Sequence, residues 1–271
     1  MLSFLAKKGL KKIQENKEMG FFDHLEELRW HIIRSLLAVL SIAIFFFAAK
    51  EFTFDTIIFG PKKADFPTYN FFCALSEATC FRPPELNLIT RELGEQFFMH
   101  IKVSFWMGVI ISFPYIFYEF WKFVSPGLYD HEKKAVRGVV FICSLLFSSG
   151  VLFGYFVIAP FAVTWLGGYS VGTEATNSPT LASYVNYLTM FTIPTGIMFE
   201  LPLLAYFLGK IGLINSSYLI NYRRHAIVLI FLVAAILTPP DVVTQILISI
   251  PILFLYEMSI YVLKRIEKDP T

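Results

Sequence analysis

Long apolar runs separated by short bursts of charge constrain this chain more than any other feature. A helix crossing a hydrocarbon core about 30 Å thick needs about 20 mostly apolar residues. Six runs meet or approach that length: roughly Ile32–Ala49, Phe97–Phe120, Gly138–Leu166, Tyr184–Leu208, Ala226–Leu237 and Val242–Leu263. The fifth holds only 12 residues and becomes a span if Arg223, Arg224 and His225 snorkel and the bilayer thins locally. The last two runs therefore stand or fall as a pair. Composition agrees, with 56% apolar and 16% charged residues, 30 Phe among them, in a chain of 271. Soluble domains carry roughly 45–50% and about 25%, so a soluble globule is excluded, and so is disorder, which needs low hydrophobicity. The expected fold class is all-α, a polytopic integral membrane protein of six transmembrane helices, with the lipid bilayer as its solvent.

Charge placement predicts the threading, because Lys and Arg accumulate in short cytoplasmic segments. Of 23 basic residues, 17 fall on one side: seven in residues 1–34, then Lys122, Lys133, Lys134 and Arg137, then Lys210, Arg223 and Arg224, then Lys264, Arg265 and Lys268. The other six, Lys50, Lys62, Lys63, Arg82, Arg91 and Lys102, are assigned to the long first loop and balanced there by seven acids. Both termini are therefore expected in the cytoplasm. The resulting division is a cytoplasmic segment 1–31, a membrane domain 32–263 with an exported loop 50–96 and a cytoplasmic loop 121–137, and a tail 264–271. The first run is read as a retained anchor, since five acids accompany its basic flank and no small-x-small site follows Ala49. Residues 1–20 read equally as an amphipathic segment on the anionic leaflet and as a solvated basic flank. Cys73 and Cys80 fall in the exported loop, where a bridge and two free thiols are equal alternatives; Cys143 reads as packing. Charge in bursts, with no basic face, speaks against nucleic acid as a partner.

Enzyme chemistry is not indicated. The chain has no P-loop, no Cys or His pair at zinc spacing, and no His near the middle of a run where a haem ligand would sit. No cofactor is expected. The polar residues inside the runs need explaining, because an acid in hydrocarbon costs about 2.5–3.5 kcal/mol on insertion scales. Glu200 is the sharpest case, set between Pro194 and Pro202, where two helix-breaking residues predict a bend that lines a groove; a buried acid, protonated or paired structurally, is the alternative. Gln245 reads equally as interhelical packing and as partner contact. Glu119 and Glu257 are expected to snorkel near span ends, and Asp241 to cap the last helix. On the cytoplasmic side, Glu27 before the first span and Glu132 after the second read as charge balance among basic flanks or, if the two segments meet, as acceptors of a pair of arginines, whose planar guanidinium matches a carboxylate with two parallel hydrogen bonds.

Four segments in order carry a resemblance. His24-Leu25-Glu26-Glu27-Leu28-Arg29, Phe123-Val124-Ser125-Pro126-Gly127-Leu128-Tyr129-Asp130-His131-Glu132, Phe199-Glu200-Leu201-Pro202 and Leu237-Thr238-Pro239-Pro240-Asp241-Val242 together resemble the TatC family, the polytopic core of the twin-arginine protein translocase, over roughly residues 20–263. The resemblance implies a bent, glove-like bundle with two short final helices, in the bacterial inner membrane. It implies binding of twin-arginine signal peptides of folded proteins at Glu27 and Glu132, supported by Arg29 and Phe123. Glu200 would lie in the concave face and Gln245 on the side where single-span partners of the TatA/TatB type dock. Transport would draw on the proton-motive force, within a self-associating receptor complex. The long exported loop with its two cysteines and the basic 1–20 segment have no counterpart in that pattern. A proton-coupled secondary transporter using Glu200 is the alternative, and a membrane scaffold without signal recognition a third; the absence of a visible repeat weighs against the transporter.

Overall fold

The computed structural model describes residues 21–124, 136–170, 172, 177–237 and 241–268. Five helical stretches among them, His24–Ala48, Glu95–Val124, Gly138–Gly168, Leu181–Lys210 and Val242–Lys268, are long and apolar enough to cross a bilayer. Their apolar residues point outward as well as inward: Ile44, Phe45, Leu145, Leu204 and Phe254 are all exposed. A helix apolar all round belongs in lipid.

Helix α1, Phe21–Ala48, carries the His24–Arg29 segment and the first apolar run as one continuous rod. It is followed by a π-helical turn, Phe52–Ile58, and by the short helix α2, Pro67–Leu75, which Pro67 opens at a position where a missing N–H costs nothing. Helix α3, Glu95–Val124, returns along α1. The two backbones come close at Gly108, where a Cβ would stand 2.6 Å from the Val39 carbonyl oxygen. Helix α4, Val136–Phe153, passes through a π-helical turn at Gly154–Ile158 into α5, Ala159–Gly168. Helices α6, Leu181–Met198, and α7, Leu201–Lys210, form one span broken at Phe199 and Glu200. Pro202 cannot donate a helix hydrogen bond, and the expected bend is found there. The chain ends with α8, Ser216–Asn221, α9, Arg223–Leu237, and α10, Val242–Lys268.

Two expectations change. Helix α9 is short as predicted, its 15 residues rising about 22 Å. The last helix is not short: α10 runs 27 residues, because Lys264, Arg265, Glu267 and Lys268 are good helix formers and extend the rod beyond the apolar run. Lys102 is not in the loop either. It lies within α3 and reaches Asn186 Oδ1 of α6 at 2.5 Å.

The core sits between α3, α5, α6, α9 and α10, around Ile158, Val185, Phe191, Ala234 and Ile248. At one end of the bundle the segment from 52 to 93 forms a packed cap. Tyr69 is fully buried and its hydroxyl donates to the Pro61 carbonyl at 2.6 Å; burial pushes that hydroxyl up to about 12. Phe81 stacks on Phe161 at 4.4 Å, and Tyr155 and Tyr184 donate to the carbonyls of Ile57 and Ile58. Buried Glu95 accepts from the backbone N–H groups of Arg91 at 2.8 Å and of Ala182 at 2.7 Å, tying the start of α3 to the start of α6. The Ala182 N–H is one that a helix start leaves without an intrahelical partner. Among the described residues the strand-like pairing is a single parallel bridge, Ile89 to Thr180.

Candidate functional site

At the other end, the beginning of α1 meets the end of α3. Residues 24, 27 and 31 share one face of α1 by helical spacing, and 115, 119 and 123 share one face of α3. The two faces meet. His31 and Glu119 are 5% and 4% exposed, and His31 Nδ1 lies 2.5 Å from Glu119 Oε2. Arg34 Nη1 stands 3.9 Å from the same oxygen, and the Tyr115 hydroxyl also bonds Glu119. Burying two such groups demands that they be paired, and the neighbouring helix supplies the partner. Glu119, expected to snorkel, is thus drawn inward, and His31 was not anticipated as its partner. The readable signal was spacing: His31 is one turn from Glu27, and Glu119 one turn from Phe123.

Glu27 lies at the edge of this pair, its side chain 37% exposed, with Oε1 4.0 Å from His31 Nε2. Its other oxygen, Oε2, is shielded and has no hydrogen-bond partner. Phe123 stacks on the His24 ring at 4.2 Å and meets His31 edge-on at 6.1 Å. Arg29 points elsewhere, with Nη2 3.7 Å from Glu26 Oε1 and its guanidinium over the Trp30 ring. The structure therefore brings Glu27 and Phe123 together and leaves Arg29 beside them on the exposed flank. Glu132 lies outside the described residues.

Glu200 sits at the break between α6 and α7. Both its carboxyl oxygens are buried without a hydrogen-bond partner of ordinary length, with the Cys143 thiol of α4 facing them. Gln245 donates from Nε2 to the Phe231 carbonyl oxygen at 3.0 Å, a bond from α10 to α9. Asp241 accepts from the Thr244 backbone N–H at 2.8 Å, the bond of an N-terminal cap. Glu257 is exposed and pairs with Arg223 at 2.6 Å. Cys73 and Cys80 are disulfide-bonded across the end of α2, and Cys143 is a free, buried thiol.

Apolar helices of crossing length, with Glu119 and Glu200 drawn in among them, define a polytopic membrane protein. Residues 23–251 match the family described as Sec-independent protein translocase protein (TatC). A TatC protein of Blattabacterium sp. subsp. Periplaneta americana is 38% identical over 255 residues, covering 92% of this chain and 96% of that one. The Aquifex aeolicus TatC protein is 37% identical over 246 residues, 90% and 94% of the two chains. A crystal structure of the twin arginine translocase receptor TatC superposes with a TM-score of 0.71 at 36% identity, over 89% of this chain and 98% of that one. This chain belongs to the TatC family. It is a membrane-embedded subunit of a Sec-independent protein translocase.

Proposed function

We propose that this chain is the signal receptor of its translocase, binding twin-arginine signal peptides of folded precursors where α1 meets α3. The observation that carries the reading is Glu27, a half-exposed carboxylate with one oxygen unpartnered, beside the aromatic pair Phe123 and His24. The planar fork of a guanidinium can meet the exposed edge of that carboxylate with directed N–H donors, and an aromatic face flanks a cation well. Glu132 follows α3 in the chain and would supply the second carboxylate, with Arg29 setting the field on the exposed flank.

The remaining roles extend this reading. The distribution of basic residues supports a receptor end that, with both chain termini, would face the cytoplasm, and the disulfide-bonded cap would then lie in the oxidising space outside the inner membrane. Glu200 would be the polar point on the path of the apolar signal segment. Gln245, committed to the α9 backbone, would shape the α9–α10 side against which single-span partners of the TatA/TatB type dock. A folded cargo is too wide for one bundle, so transport would require those partners and other copies of this chain, driven by the proton-motive force. Membership in a translocase family removes the motive for a proton-coupled small-solute transporter.

The test is binding of a twin-arginine signal peptide to the purified protein, beside the same peptide with two lysines, which keep the charge and lose the fork. The arginine peptide is expected to bind more tightly, and Glu27→Gln and Glu132→Gln each to weaken it by about 1–3 kcal/mol. Equal affinity for both peptides, in protein shown to be folded, overturns the receptor reading.

A further inference from the structure

His31 stands between two carboxylates on different helices. Its Nδ1 meets Glu119 Oε2 of α3 at 2.5 Å, and its Nε2 faces Glu27 Oε1, one turn earlier on α1, at 4.0 Å. Glu119 is itself enclosed: Arg34 stands 3.9 Å from the same oxygen, and Tyr115 bonds it from one turn back on α3. A buried pair of this kind adds little to stability, because desolvation offsets most of the attraction and an apolar pair of similar volume commonly does as well. What it fixes is direction. With Nδ1 committed to Glu119, Nε2 is turned toward Glu27 at 4.0 Å, an ion-pair distance longer than a hydrogen bond, and Phe123 closes the third side edge-on at 6.1 Å.

We propose that His31 is the positioning residue of the arginine site: Glu119 orients the imidazole, and the imidazole holds the plane of the Glu27 carboxylate for an incoming guanidinium. The proposal rests on the reading of Glu27 as an arginine acceptor. Glu27 Oε2 is buried without a partner in the protein and Oε1 faces the ring at 4.0 Å, so the carboxylate is set in one orientation and presents its exposed edge to an incoming fork. Charge alone would attract lysine and arginine alike. A fixed carboxylate plane favours the planar fork of arginine over the point charge of lysine, so His31 and Glu119 act on specificity without touching the peptide.

The experiment measures the ratio of affinities for the twin-arginine and twin-lysine peptides in wild-type protein, in Glu119→Gln and in the double variant His31→Phe, Glu119→Leu. Glu119→Gln keeps an oxygen acceptor for the ring and is expected to preserve the ratio. The double variant replaces the buried pair with apolar side chains and removes the risk of one group stranded without its partner; its elution profile and melting temperature verify folding. In it the ratio is expected to fall about tenfold, through the arginine peptide, with affinity for the lysine peptide unchanged. A folded double variant with the wild-type ratio overturns the positioning role and leaves the receptor reading intact. Equal loss for both peptides overturns it too, since that marks a general disturbance of the surface. Wild-type protein that does not distinguish the peptides overturns the receptor reading and this proposal with it.

Discussion

Single residues in this chain are informative according to what surrounds them. Glu119 and Glu257 looked alike in sequence, each an acid near a span end. Glu257 remains exposed against Arg223, whereas Glu119 is buried against His31, and only the packing of α1 on α3 separates the two cases. Glu27 and Glu200 drew notice because each breaks a local rule, an acid at the membrane edge and an acid in mid-span, whereas Phe123 was pointed to by the family resemblance alone. Glu200 keeps both oxygens buried and unpartnered, an expensive arrangement in a membrane, and it lies at the α6–α7 break, away from the α1–α3 end. Glu200→Ala is therefore expected to impair export of a folded reporter strongly while leaving signal-peptide affinity near wild type. Equal loss of both would place Glu200 in the fold instead of in transport.

Helical elements follow from the length and character of the apolar runs, with two exceptions of physical interest. Helix α10 outlasts its apolar run because charged helix formers continue the backbone pattern past the membrane edge. The joint between α4 and α6 rests on glycines that the search for polar motifs passed over. Gly150 and Gly154, four apart, let α4 and the turn after it meet α6 backbone to backbone. A Cβ on Gly154 would stand 2.5 Å from the Phe191 carbonyl oxygen and 2.8 Å from Thr192 Cα, backbone atoms that cannot swing aside. Such small-residue contacts are how membrane helices approach closely. Gly154→Ala is expected to cost about 1–3 kcal/mol by overpacking, seen as a lower midpoint of thermal unfolding in detergent. Gly138→Ala, on the same helix with nothing within 4 Å, is the control and is expected to be neutral or slightly stabilising.

For the whole molecule, the orientation set by basic residues and the packed cap at the opposite end make one joint prediction. The cap carries the Cys73–Cys80 bond and is expected outside the membrane. The intact protein should weigh two hydrogens less than its reduced form, and after reduction both thiols should react with a membrane-impermeant maleimide added to intact cells. Labelling that requires broken cells would reverse the orientation; a mass equal to that of the reduced chain would remove the bond. The cap was the least legible part of the molecule. Residues 50–96 read as a mixed-charge loop, yet Tyr69 is fully buried and Glu95 ties two helix starts together, through partners as far away as Pro160 and Ala182. By itself the sequence determined the helical class, five of the six expected spans, the bend at Glu200 and the family. Each of these depends on local quantities: run length against bilayer thickness, proline against helix hydrogen bonding, short motifs in order. The tertiary structure alone decided which acids are buried and with whom, because His31 and Glu119 lie 88 residues apart and a contact between distant residues leaves no local periodicity to read.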